Sequence, residues 1–333
     1  MRTTLISSFW GLLAIILIVA GLLFFKASLP MSDNTQSQVF EIKSGMTLKQ
    51  VSEELFRQNL IRSANAFQAI ALIQDKEKLI KVGEYYISPS MLPAEILQRI
   101  TSGKTVLHSI TIPEGYRITE IANLLEEKDL ADKNIFLQQA KNVELLEGIP
   151  TSSLEGYLFP DTYHFGKRTT EAAIINKMVE TFKERALKQE FLKRAEDLGF
   201  SYHEIITLAS LIEKETGKDS ERKQISSVFH NRLKKNMLLQ TDPTVIYAID
   251  IFDGNIRKRD LNIDSPYNTY RYKGLPPGPI ANPGLKSIIA ALYPATTSNL
   301  YFVSKQDGSH KFSATLNEHN RAVQKYQLRK IGR

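Results

Sequence analysis

The sequence predicts an α+β protein that begins with one apolar helix, and three observations predict it. An uncharged apolar run fills Phe9 to Phe25. A pattern of strand, Gly turn and amphipathic helix occurs twice between Ile42 and Leu125. From Glu171 onward the apolar spacing is mainly helical, interrupted over 239–283 by loops rich in Pro, Gly, Asn and Tyr. The expected architecture is an N-terminal transmembrane helix, a small α+β subdomain, and a mainly helical domain with β-rich loops.

Composition sets the bounds. With 333 residues, 42% hydrophobic and 24% charged, the chain is globular in character and long enough for two or three domains. The absence of cysteine removes disulfides, thiolate zinc sites and thiol nucleophiles. A net charge of +7 is spread along the chain, apart from Lys and Arg at the extreme C-terminus. It reads as a solvated surface, so no nucleic-acid partner is expected.

Taken in order, residues 1–6 form a tail and residues 7–25 a membrane span, since about 20 apolar residues cross a hydrocarbon core. The run is longer than the apolar stretch of a signal peptide, and no small-x-small cleavage site follows it. Arg2 on one side and Lys26 on the other lean toward a short cytoplasmic N-terminus, which puts the bulk of the chain in the periplasm of an inner-membrane, single-pass protein. Residues 26–38 are a polar linker.

Residues 39–106 and 107–165 hold the two related modules. Ile42-Lys-Ser-Gly45, Leu48, Val51 and Leu55 align with Ile112-Pro-Glu-Gly115, Ile118, Ile121 and Leu125. Between them Gly83 to Ile87 alternates like a strand, and Leu92 to Ile100 reads as a helix closed by Gly103. The order strand, helix, helix, strand resembles a LysM-like subdomain, which implies contact with peptidoglycan; a plain α+β spacer shows the same pattern.

Residues 166–333 form the third region, with helices expected near 171–198, 202–216, 221–235 and 284–292. Ser201 and Glu204 have capping-box spacing, so a helix should start at Tyr202, and Gly217 is a natural C′ residue to stop it. Leu208, Leu211, Ile212 and Glu215 then share one stripe, while Glu213 lies about 160° around the helix from Glu215. A carboxyl beside Leu and Ile, near the negative end of a helix, should have a raised pKa, as a general acid requires. A Glu-Lys-Glu sequence is also compatible with a solvated face.

The loops that follow add polar and aromatic groups. Gln240-Thr241-Asp242-Pro243 suits a fixed turn. Tyr247, Tyr267, Tyr270 and Tyr272 offer ring faces with polar tips, suited to sugars, and Asn268 and Thr269 lie among them. Gly274-Leu-Pro-Pro-Gly-Pro-Ile280 makes a rigid wall. A zinc protease is disfavoured because His203-Glu-Ile-Ile is followed by Thr207 where the motif needs a second His, and no phosphate-binding loop or serine nucleophile elbow is present. No cofactor or metal is expected.

Ala209-Ser-Leu-Ile-Glu-Lys-Glu-Thr216, Leu239-Gln-Thr-Asp-Pro-Thr-Val-Ile-Tyr247, Tyr267-Asn-Thr-Tyr270, Gly274-Leu-Pro-Pro-Gly278, Asn282-Pro-Gly284 and Tyr301-Phe-Val303 together resemble the YceG-like family of endolytic murein transglycosylases, and the likeness covers nearly the whole chain. It implies cleavage of the β-1,4 bond between N-acetylmuramic acid and N-acetylglucosamine in nascent glycan strands, leaving 1,6-anhydromuramic ends. It implies that Glu215, the Glu before Thr216, is catalytic, and that peptidoglycan synthases are partners. Gln240, Thr241 and Asp242 are then candidates for binding acetamido or hydroxyl groups, and Tyr247, Tyr267 and Asn268 for lining subsites. Glu155, in Glu155-Gly-Tyr-Leu-Phe-Pro-Asp-Thr162, is the best second carboxylate, with a backbone-bonding role as the alternative. Two rival readings stay open: a muramidase that uses water and needs a second carboxylate, such as Glu155 or Asp242, facing Glu215 across the sugar, and a non-enzymatic glycan-binding scaffold.

Overall fold

The structure is a computed structural model in which the backbone of residues 2–328 and the side chains of residues 10–328 are described. The basic C-terminal residues Arg329, Lys330 and Arg333, and the side chains of the 1–6 tail with Arg2, lie outside the described set. The first helix, α1 (Arg2–Ala27), carries no acid in its first turn. Its Trp10–Ala27 stretch has a mean hydropathy of 2.3 and none of it is buried. At 1.5 Å per residue the whole of α1, 26 residues, is about 39 Å long. Among the described residues this is the one helix long and apolar enough to cross a membrane.

The chain divides into two compact units, residues 1–108 with 164–168, and residues 109–163 with 169–333. In the first, strands β1 (Gln38–Ile42) and β2 (Gly83–Ile87) pair antiparallel, with Phe40 opposite Tyr85. Between them in sequence lie helices α2 (Leu48–Arg57) and α3 (Ala64–Ile73), and α4 (Pro93–Ser102) follows β2. Alternation along the strands turns Phe40, Ile42, Tyr85 and Ile87 inward, against Val51 and Leu55 of α2, Phe67 of α3 and Ile96, Leu97 and Ile100 of α4. Strand β3 (His108–Thr111) pairs with β4 (Thr162–Phe165), and the division between the units falls within this ribbon.

The repeat read in the sequence is repeated in the backbone. Gly45 (φ 80°) precedes α2 and Gly115 (φ 78°) precedes α5 (Ile118–Glu127), both in the left-handed region that favours Gly. Each helix ends on a second left-handed residue, Asn59 (φ 55°) or Asp129 (φ 54°). The next residue, Leu60 or Leu130, is buried and donates its N–H back to Leu55 O (2.9 Å) or Leu125 O (3.0 Å). That six-to-one bond is a Schellman closure, with the apolar residue after the cap packed inward.

The second unit continues with α6 (Lys133–Gln139), α7 (Glu171–Ala186), α8 (Gln189–Asp197), α9 (Tyr202–Glu215), α10 (Asp219–Lys234), α11 (Asp242–Ala248) and α12 (Leu285–Leu292). An antiparallel hairpin of β5 (Tyr301–Ser304) and β6 (His310–Ser313), helix α13 (Leu316–Val323) and a π-helical turn at Gln324–Leu328 follow. Helix α9 is central, with Ile205, Ile206, Leu208, Ala209, Leu211 and Ile212 all buried against α8, α10, α11 and α12.

Four expectations are corrected. The helix read over 171–198 is two, because Leu187 leaves helical geometry at ψ 65° and the Tyr202 hydroxyl donates to Ala186 O, giving the freed end carbonyl a partner. Residues 239–283 contain α11 and a 3₁₀ turn at Asp260–Asn262, with no strand among the described residues, so the loops are not β-rich. Asp242-Pro243 opens a helix there instead of fixing a turn, since Pro is tolerated in a first turn that has no N–H partner to lose. Finally, α9 is stopped by Thr216 in extended geometry (φ −150°, ψ 136°), and Gly217 is not in the left-handed region.

Candidate active site

Helix α9 delivers one carboxylate to each of two environments. Its start is fixed by the capping box, with Glu204 N donating to Ser201 Oγ (3.2 Å) and Ser201 N donating to Glu204 Oε2 (2.8 Å). With that register set, Glu215 is the last helical residue. It lines a cavity of about 520 Å³ together with Arg232, Gln240, Asp242, Tyr270, Tyr301, His310 and His319.

The Glu215 carboxyl accepts a hydrogen bond from Thr241 Oγ1. Loss of water around it pushes its pKa up to about 7; the Thr241 hydroxyl opposes this and the nearby Asp242 charge adds to it. Thr241 is itself held by a buried hydroxyl cluster. Its N–H donates to Thr269 Oγ1 (3.1 Å), its carbonyl accepts from Thr244 Oγ1 (2.7 Å), and the Thr244 and Thr269 hydroxyls are 2.9 Å apart. The donor to Glu215 is therefore fixed in place.

Gln240 lies in the left-handed region (φ 49°), an uncommon conformation for a residue with a side chain, and its N–H donates to Thr269 O (3.1 Å). Its exposed side chain lines the cavity. Asp242, the first residue of α11, accepts from the Tyr270 hydroxyl at 2.5 Å. Gln240, Thr241 and Asp242 thus gather at Glu215.

Thr241 is buried behind the cavity wall, and four other candidate residues also do not line this cavity. The Tyr247 and Tyr267 rings contact one another at 4.8 Å between centroids, and the Arg117 guanidinium sits 5.0 Å over the Tyr247 ring. Glu155 is buried, accepting from Ile118 N (3.1 Å) at the first turn of α5 and from Asn282 Nδ2 (3.1 Å). Burial pushes its pKa up to about 8 against those two hydrogen bonds and the Arg117 charge. Asn268 is fully buried, with Nδ2 donating to Leu261 O and Ile263 O and Oδ1 accepting from Tyr270 N, so its amide organises the loop that presents Tyr270.

Glu213 is not on a solvated face either. Its side chain is 6% exposed, accepting from Arg222 Nη2 (3.1 Å) and from Gly284 N (2.9 Å), the N-cap of α12.

Sequence reasoning missed the far wall of the cavity. Arg232 comes from α10, Tyr301 and His310 from the β5–β6 hairpin, and His319 from α13. Glu221 holds His310 by its backbone N–H (3.0 Å) and its Nδ1 (2.7 Å). The available signal was the Tyr301 to Ser304 alternation followed by Asp307-Gly308, a hairpin turn. Among the described residues no group of three or more His, Cys, Asp or Glu could hold a metal ion.

The model of the YceG-like family matches residues 40–325, and the chain belongs to that family. It is 36% identical over 339 residues to a Bacillus subtilis (strain 168) protein named endolytic murein transglycosylase, covering 93% of this chain and 91% of that protein. A Streptococcus pneumoniae serotype 2 protein of the same name is 31% identical over 91% of this chain, which spans 61% of that relative's length. The crystal structure of a putative YceG-like protein from Listeria monocytogenes, 34% identical, superimposes with a TM-score of 0.59 over 86% of this chain and 98% of that one.

Proposed function

We propose that this chain is an endolytic murein transglycosylase in which Glu215 is the single acid and base. Family membership and the relatives' names support the activity. The observation that carries the assignment of Glu215 is its position: a carboxyl at the end of a buried helix, on a cavity wall, with a pKa of about 7 and a fixed hydroxyl donor. Near neutral pH such a group exists in both protonation states, as an acid that later serves as a base requires.

In this reading the protonated Glu215 gives its proton to the glycosidic oxygen as the bond to the muramic C1 breaks. The sugar's own C6 hydroxyl attacks C1, and the Glu215 carboxylate takes that hydroxyl's proton, leaving a 1,6-anhydro end without consuming water. A nucleophile already tethered to the reacting sugar has an effective molarity equivalent to about 7–11 kcal/mol of barrier. A second carboxylate is not required, in contrast to enzymes that position or replace a water. Gln240 and Asp242 would hold polar groups of the sugars at this cavity, and Thr241 would set the Glu215 carboxyl.

One observation favours a second reading: Asp242 shares the cavity with Glu215, so a water activated by Asp242 would make the chain a muramidase. Further from the chemistry, α1 would anchor the chain in the bacterial membrane with both units outside the cytoplasm. The strand, helix, helix, strand order from β1 to β2, to which α4 is added, supports a LysM-like, glycan-contacting role, and synthases that make nascent strands are the expected partners. The test is digestion of purified strands by the full chain in detergent. Anhydro ends should appear with the unmodified protein and vanish with Glu215→Gln; undiminished cleavage by that variant would overturn the assignment.

A further inference from the structure

Arg232 is a buried cation that forms no ion pair among the described residues, although the Glu215 carboxyl is near enough to act on it electrostatically. It is 8% exposed, and its guanidinium is fixed by Nε donating to Leu300 O (2.6 Å) and Nη1 donating to Leu239 O (2.8 Å) and Leu238 O (3.3 Å). The Tyr301 ring lies 5.3 Å from its centre. Those bonds use the donors on Nε and Nη1; the two N–H groups on Nη2 have no acceptor among the described residues, and the Glu215 charge acts on Arg232 without a direct bond to it. A charge withdrawn from water without a directly bonded counter-ion is unfavourable. Tethering three carbonyls explains the guanidinium's orientation, but an amide side chain could serve carbonyls without the charge.

The same wall carries a second unsatisfied group. His319 stacks on the other partner of Arg232, Tyr301, with ring centroids 5.2 Å apart, and its Nδ1 is buried with no hydrogen-bond partner. Both Arg232 and His319 line the cavity that holds Glu215. Buried polar groups are nearly always paired, so the buried His319 Nδ1 without a partner, next to an Arg232 Nη2 that has no acceptor among the described residues, marks a place for an acceptor that the chain does not supply.

We propose that Arg232 and His319, organised around Tyr301, form a carboxylate-binding subsite that takes an acidic group carried by the muramic acid residue of the substrate. The proposal rests on the murein-cleaving reading above and adds a specificity to it. Two sources share the chemistry: the lactyl carboxylate of a strand without peptides, and a carboxylate of the stem peptide. A guanidinium presenting free N–H groups suits either one.

The experiment measures binding, so that it does not depend on cleavage. Full-length Glu215→Gln protein in detergent is titrated with four muramyl oligosaccharides: peptide-free with the lactyl acid, the same with that acid converted to its methylamide, peptide-bearing with free acids, and the same with those acids methylamidated. One free-acid form should bind about ten- to a hundredfold more tightly than its amide, the range expected for hydrogen bonds to a charged group. Which pair shows the difference identifies the source. Arg232→Lys, which keeps the charge but loses the fork, and His319→Phe, which keeps the stacking, should each shrink the ratio. Equal binding of acid and amide in both pairs, no binding of any of the four, or a ratio unchanged in both variants overturns the subsite. A preference for acid in a chain whose unmodified form makes no anhydro ends would instead leave the subsite standing and remove the enzymatic reading.

Discussion

Glu213 and Glu215, two residues apart at the end of one helix, have opposite employment. Glu213 is ion-paired to Arg222 and caps α12 through Gly284 N, whereas Glu215 meets a single hydroxyl, from Thr241, and faces the cavity. The first carboxylate holds three helices together, and the second is left to act.

Their substitutions should therefore separate stability from activity. Glu213→Gln leaves Arg222, whose side chain is 6% exposed, without its buried partner, and removing one member of a buried pair is worth about 3–5 kcal/mol. Arg222 keeps the more exposed Asp219 as a partner, so the loss should fall at the low end of that range, read by chemical denaturation. Glu215→Gln should keep the fold and lose at least about a hundredfold in rate, the usual effect of deleting a general acid.

The pH profile follows from the raised Glu215 pKa. Because the first proton transfer needs the acid form, kcat/KM should fall as pH rises through about 7. Stability should move in the same direction. A carboxyl whose pKa rises on folding binds its proton more tightly when folded, so stability is lost as pH climbs from the ordinary value of 4.5 toward about 7. Glu215→Gln should be free of that loss, with an advantage over the parent that grows to at most ~3 kcal/mol above neutrality. A constant difference across this pH window would contradict the burial account.

Thr241→Val tests the hydroxyl that opposes this shift. Removing a donor to the carboxylate disfavours its charged form, so the alkaline limb of the kcat/KM profile should move to higher pH. An unmoved limb would mean that Thr241 does not bond Glu215 in solution.

Glu155→Gln distinguishes a structural carboxyl from a second catalytic one. Glu155 is buried, bonded to Ile118 N and Asn282 Nδ2, and absent from the cavity lining. Its substitution should change the turnover rate by less than about tenfold, the lower bound for a lost general acid or base being about a hundredfold. It should also flatten the decline in stability that the parent shows as pH approaches about 8. A rate loss matching that of Glu215→Gln would make it a partner in catalysis.

Features written in local spacing were legible in the sequence. The capping box and apolar stripe gave α9 from Tyr202 to Glu215, and the alignment of Gly45 with Gly115 gave two turns of the same backbone geometry. The angle between Glu213 and Glu215 correctly separated them, but it could not show what waits on the Glu213 side. Arg222 and Gly284 arrive there from two other helices. Asp242-Pro243 was ambiguous because the same dipeptide serves a turn or a first helical turn. The hairpin that carries Tyr301 and His310 had a local signal, but its meeting with Arg232 and His319 in one wall was not legible, since the three elements are joined only by tertiary packing.

The most direct test of a single-carboxyl mechanism is to follow where water goes. Strands are digested by the full chain in water enriched in heavy oxygen, and the new muramyl ends are weighed by mass spectrometry. Ends lighter than a reducing muramic acid by one water, carrying no label, are the predicted result. Labelled reducing ends would show that water, and not the C6 hydroxyl, attacks C1, and would shift the mechanism to a muramidase with Asp242 opposite Glu215.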